Sequence, residues 1–276
     1  MRFGEKLKMV GQYSVIDAHC HVYPDAIAER AVAGTGNFYS VPFAMDGTER
    51  TLRKAAEAAG IDHCVIQSVA TSPRQVKSIN EFIARTVKEG EGRYTGLGTL
   101  HPDSQDIEGD VMHLKELGLH GVKLHPDIQR FPVDDERCTP FYELCSELEL
   151  PILIHTGDKR YDYSNPNRLI PLLRRFPKLT VIGAHLGGWS IWEEASDQLK
   201  EIPNLYFDCS SSFPWIGPEK VERIIRKLGA DRVMFGTDYP MWEPKLELEV
   251  FFRMKIEEPA KKAILAENAK RIFKIE

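Results

Sequence analysis

The chain has 276 residues, room for one large α/β domain with a core that needs no disulfide staples. A net charge of −5 provides no broad basic face, which excludes nucleic acid as the main partner but still admits a small anionic substrate. The five cysteines are odd in number and form no C-x-x-C pair, so they read as reduced, buried thiols rather than a disulfide framework or zinc knuckle.

Residues 1–13 carry charge without an apolar run and read as an N-terminal extension, not a signal peptide. No stretch approaches the ~20 apolar residues of a membrane span, and the expected location is the cytoplasm. The first predicted strand, Val15–His21, ends in H-C-H. A strand has a period of two, so His19 and His21 share one face and Cys20 takes the other. His63–Val69 is the second strand, followed by a helix over Arg74–Lys88. Tyr94–His101 is the third, followed by a helix over Ile107–Leu117 that Gly118 stops. The fourth, Gly121–His125, turns Lys123 and His125 inward, and a helix over Pro140–Leu148 follows. Pro151–His155, in PILIHTG, precedes a helix over Asn167–Arg175. Val181–His185, in VIGAHLGG, precedes a helix over Ile191–Lys200. Leu205–Cys209 precedes a helix over Pro218–Leu228, stopped by Gly229. The eighth strand, Val233–Asp238, ends in FGTDYP, with helices over Glu247–Met254 and Lys261–Phe273 beyond it. Pro140, Pro171 and Pro218 are expected in or near first helical turns.

Eight strands alternating with helices predict parallel pairing through right-handed crossovers. That count in this length predicts a (β/α)8 TIM barrel, α/β in class, as a single domain over residues 1–276. A doubly wound sheet would carry a glycine-rich phosphate loop after its first strand, and that position reads HCHVYP.

In a barrel all strand C-termini meet on one face. His19, His21, His101, His125, His155 and His185 fall at or near predicted strand ends. Asp238 ends an apolar run, and a carboxylate there calls for a cation. Imidazoles plus one carboxylate suit Zn²⁺, with Mn²⁺ or Fe²⁺ as alternatives and water in the open position. Trp189, Trp192, Trp215 and Trp242 follow strands six to eight and predict flat substrate-binding walls at the rim. Arg130, Lys159 and Arg160 are either carboxylate-binding cations or solvated charges.

The H-x-H of strand one, the histidines of strands five and six and the aspartate of strand eight resemble the amidohydrolase superfamily. The phrases GVKLHP, PILIHTG, VIGAHLGG, LYFDCS, FGTDYP and ENAKRIF resemble its amidohydrolase-related branch, from about residue 14 to residue 273. The resemblance implies that His19, His21, His155 and Asp238 hold one divalent ion, Zn²⁺ first, with Mn²⁺ or a second ion as alternatives. It implies a catalytic His185 beside that ion and, from the habit of relatives, a homodimer. It leaves Lys123 either as a carboxylated bridge between two ions or as a cation facing substrate or Asp208, with His125 reaching the pocket mouth. The first expectation for activity is hydrolysis of an amide, lactone or ester by metal-activated water. Asp238 would take the proton and His185 would steady the oxyanion. The alternative is a lyase that decarboxylates an aromatic or unsaturated carboxylic acid, with His185 or Asp238 handling the proton at carbon.

Overall fold

The structure is a computed structural model that describes residues 11–276, so the first ten residues of the predicted extension lie outside the described residues. The strands are β1 (Ile16–His21), β2 (His63–Gln67), β3 (Tyr94–Gly96), β4 (Gly98–Thr99), β5 (Val122–Leu124), β6 (Ile152–Ile154), β7 (Val181–Gly183), β8 (Leu205–Asp208) and β9 (Val233–Met234). All pairs are parallel, in the orders β1-β2-β3 and β4-β5-β6-β7-β8-β9.

Strands β3 and β4 are the expected third strand, interrupted at Leu97. The Leu97 amide donates to Ile66 on one side, and the Gly98 amide donates to Gly121 on the other. A side chain satisfies the strand just beyond the interruption. On helix α3 (Val76–Glu89), the buried Asn80 accepts from the Thr99 amide (2.7 Å) and donates to the Thr99 carbonyl (3.2 Å). It takes the place of a neighbouring strand. The opposite seam is closed by backbone bonds from Ala18 to Phe235, Asp238 to His19 and His21 to Tyr239. The result is an eight-position parallel ring, the expected TIM barrel.

Inward residues Ile16, Ala18, Val65, Leu97, Leu153, Ile182 and Met234 form a narrow core, plugged by Ala266, Ala269, Ile272 and Phe273. Outward residues such as Cys64, Ile66, Leu124, Ile154 and Phe207 join the larger core beneath the helices. Strict alternation from Ile16 and Ala18 would turn Cys20 inward and both histidines outward. Between Asp17 and Cys20, however, the pairing with β2 shifts register. This irregularity reverses the phase. Cys20 packs outward, while His19 and His21 line the cavity. The Asp17 carboxylate braces the turn-over by accepting from the His19 amide (3.2 Å) and the Thr237 amide (2.9 Å).

Three helices were not anticipated: α1 (Asp25–Tyr39), α2 (Glu49–Ala59) and a short turn, Pro126–Gln129. Helix α1 buries only Ala28, so it has no apolar stripe for a sequence reading to find. Pro171 lies inside the helix Pro166–Arg175, whose first turn holds Pro166 instead. The helix expected to begin at Pro218 begins at Phe213 and bends at Gly217, whose φ of 73° is left-handed. The last predicted helix is broken by a wide turn over Ala263–Glu267, where the Phe235 amide captures the Ile264 carbonyl. No helix among the described residues is long and apolar enough to cross a membrane.

Candidate active site

Several strands are shorter than expected. His125, His155, His185 and Asp238 therefore lie beyond the strand ends, His125 as the cap of the turn Pro126–Gln129 and His185 at the start of a 3-10 turn, His185–Gly187. His185 and Asp238 have left-handed backbones, with φ of 58° and 61°. Such geometry is costly for residues with a Cβ and collects at functional sites.

Three of the expected ligands converge. His19 Nε2 lies 3.2 Å from His21 Nε2, and Asp238 Oδ1 lies 3.3 Å from the first and 3.6 Å from the second. A tetrahedral ion with bonds of about 2.0–2.1 Å spaces its ligands about 3.4 Å apart, which matches the spacing of these three donors. The tautomer suits it too. His19 Nδ1 lies 2.9 Å from Asp208 Oδ2, and the Asp208 carboxyl is held far below the ordinary range, its burial outweighed by His19, His185 and Ser210. An ionised carboxylate only accepts, so the hydrogen is on Nδ1 and Nε2 carries the lone pair, which faces Lys123 Nζ at 3.1 Å. Ser211 donates to Asp238 Oδ2 (2.5 Å), which leaves Oδ1 for the ion, and Trp242 Nε1 donates to Ser211 Oγ (2.8 Å).

His185 and His155 stand beside this group. His185 Nδ1 donates to the Ser210 carbonyl (3.0 Å), so its Nε2 accepts from His155 Nδ1 (3.0 Å). His19, His185 and Asp238 also offer atoms within 4.8 Å of one another. Thus it is His185, expected beside the ion, that shares this spacing with His19 and Asp238, while His155, expected as a ligand, reaches the group through its hydrogen bond to His185. His125, Asp127 and His155 form a second cluster of the same spacing. Its imidazoles, however, are stacked face to face, 4.0 Å apart and 7° from parallel. Imidazole lone pairs lie in the ring plane, so an ion shared by these two rings would sit outside one plane or both.

Burial holds His21, His125 and His155 well below the usual imidazole range and brings His185 to about 4. Burial alone would raise Asp238, but His19 and His185 outweigh it and keep its carboxyl low. Burial brings Lys123 down to about 8, against the pull of Asp238 and Asp208. Lys123 Nζ lies 3.1 Å from His19 Nε2.

These groups line a cavity of about 610 Å³ that also takes in Lys123, Tyr39, Arg130 and Trp189. The expected tryptophan wall is one ring deep. Trp189 lines the cavity, whereas Trp215, 44% exposed, packs edge-on against Trp189 and Trp242. Arg160 is already engaged by Asp158 and the Phe38 carbonyl, and His101 contacts Asp103 rather than the cavity. Sequence reasoning missed Tyr39, Asp127, Ser210 and Ser211. For Asp208, LYFD carried the same signal as the run before Asp238: an apolar stretch ending in an acid.

A family model described as amidohydrolase matches residues 16–275. Among curated proteins, the chain is 24% identical to a 2-amino-3-carboxymuconate-6-semialdehyde decarboxylase of Dictyostelium discoideum, over 59% of this chain and 55% of that protein. It is 23% identical to a gamma-resorcylate decarboxylase of Polaromonas sp., over 76% of this chain and 80% of that protein. Among solved structures, an uncharacterised TIM-barrel protein of Bordetella bronchiseptica superposes with a TM-score of 0.78 at 23% identity, covering 95% of this chain and 98% of that one. A dihydroxybenzoic acid decarboxylase of Polaromonas sp., with bound manganese and the inhibitor 2-nitroresorcinol, gives 0.71 at 18% identity, covering 95% and 97%.

Proposed function

We propose that this chain, which belongs to the amidohydrolase family, is a divalent-metal-dependent decarboxylase of a small aromatic or unsaturated carboxylic acid. The observation that carries this reading is the convergence of His19, His21 and Asp238 at 3.2–3.6 Å on an aromatic-walled cavity of about 610 Å³. The decarboxylase names of the relatives favour the lyase, the second of the two expectations, over hydrolysis.

When bound, the ion would supply a Lewis acid that draws in the oxygens of the acid; manganese and zinc both suit nitrogen and oxygen donors. The protein's own part is orientation and proton handling. Asp208 and Ser210 hold the His19 ring, and Ser211 holds Asp238. The carbon that gives up CO2 must gain a proton. His185 and Asp238 face the cavity and are the positions where that proton is held and passed. Lys123 is read as an uncarboxylated cation beside the bound carboxylate, and His155 as a ligand or as a relay to His185.

The deciding experiment loads the purified protein with Mn²⁺ or Zn²⁺ and follows CO2 release from hydroxybenzoates and muconate-type acids. Lactones and amides are assayed in parallel. Turnover of the acids alone is expected. Turnover of lactones or amides alone would restore hydrolysis.

A further inference from the structure

Helix α1, which buries only Ala28, brings the half-buried Tyr39 into the cavity at its last residue. The Tyr39 hydroxyl lies 2.6 Å from His125 Nε2 and 3.4 Å from His155 Nε2. The hydrogens on this contact follow from its neighbours. His125 Nδ1 accepts from the Ile128 amide (3.3 Å), so the ring's hydrogen is on Nε2. His125 therefore donates to the Tyr39 oxygen, and the phenol keeps its own hydrogen to give away. Its other contacts among the described residues are His155 Nε2 at 3.4 Å and Nδ1 at 3.5 Å; Nδ1 already donates to His185, which leaves Nε2 as an acceptor at the long limit of a hydrogen bond. The ring is fixed from behind. Trp189 meets it edge-on at 5.0 Å, and the Arg160 guanidinium lies 5.3 Å from its centre. Arg160 is itself tied to Asp158 (2.7 Å) and to the carbonyl of Phe38 (2.7 Å), which pins the end of α1 to the loop after β6.

We propose that Tyr39 is a substrate-contacting residue whose hydroxyl, oriented by His125, donates to an oxygen substituent of the bound acid other than its carboxylate. The chemistry selects that oxygen. A carboxylate is drawn to the charged end of the cavity, by Lys123 and the ion. A neutral phenol backed by a neutral imidazole makes one neutral hydrogen bond, suited to a hydroxyl or carbonyl oxygen. The inference rests on the acid-binding part of the proposed function and not on loss of CO2.

The test is Tyr39→Phe, which keeps the ring, its Trp189 contact and its Arg160 contact. The probes are 2,6-dihydroxybenzoate and benzoate, each titrated against tryptophan fluorescence in Mn²⁺-loaded protein. Dihydroxybenzoate binding should weaken about tenfold, the loss of one well-made hydrogen bond, and benzoate binding should not change. Equal weakening of both acids would make Tyr39 a strut for His125 and His155 and overturn the proposal. So would unchanged binding of both, or a wild-type protein that binds neither. If the tenfold selectivity appears in a protein that releases no CO2, the decarboxylase reading falls and the role of Tyr39 stands.

Discussion

The cavity contains two clusters, each with two histidines and an aspartate, and they differ in how their donor atoms face one another. Around β1 and the end of β9, His19, His21 and Asp238 point their donor atoms at one another, within 3.6 Å. At the ends of β5 and β6, His125 and His155 lie flat against each other with Asp127 alongside, its Oδ2 3.6 Å from His155 Nε2. The difference lies in what stands behind the rings. Asp208 and Ser210 grip His19 at Nδ1 and leave Nε2 on the side of His21, Asp238 and Lys123. His125 is gripped by a backbone amide and a phenol, which aim its hydrogen at Tyr39. Residue type makes a site eligible for metal, and the outer partners decide whether it converges.

Metal analysis of paired variants would break this comparison most directly. His19→Ala should bring bound metal to background and abolish activity, whereas His125→Ala should retain one ion per chain by plasma emission. Metal loss in both would mean that the stacked pair also ligates. His185→Ala should keep its ion and lose about 100-fold or more in kcat, the usual scale of proton handling. Unchanged turnover would remove His185 from the chemistry. Asp208→Asn keeps the shape but takes away the charge that fixes the His19 tautomer. A 10- to 100-fold weaker metal affinity is expected in a competition titration against a chelator. Affinity equal to that of wild type would show that Ser210 alone orients the ring.

Much of this was legible in the sequence, because strand order and the placement of polar residues at strand ends are one-dimensional signals. VIGAHLGG and FGTDYP announce a buried run that stops at one polar group and a turn, and both groups reached the cavity. The inward direction of His19 and His21 was also expected, but for an incomplete reason. Their phase depends on the irregular pairing between Asp17 and Cys20, which only the neighbouring strand reveals. Tyr39 had no signal. It ends a helix that lies over the barrel mouth with one buried residue, so neither periodicity nor a motif marks it. Trp215 and Trp242 were expected to line the cavity because they follow strand ends, but position along a loop does not fix which way a ring faces.

The smallest expected effect concerns charge beneath the convergent cluster. Glu247 is buried, its Oε2 has no hydrogen-bond partner among the described residues, and it feels both Asp17 and Asp238. Burial first, then those two carboxylates, raise it from 4.5 to about 8, while burial raises Asp17 from 3.8 to about 6. Both folded-state values exceed those of the free groups. The stability they contribute is therefore complete below pH 3.8 and is lost as pH rises through about 6 and then about 8. Chelated protein should melt at progressively lower temperature as pH rises from about 4 to about 8. Glu247→Gln keeps the shape and cannot ionise, so its melting temperature should fall less, most clearly between pH 6 and pH 8, where Asp17 has already ionised and Glu247 has not. An identical slope in scanning calorimetry would mean that Glu247 ionises freely by local opening. The repulsion under the metal-binding cluster would then be relieved by movement of the helix Pro244–Phe251 rather than by a retained proton.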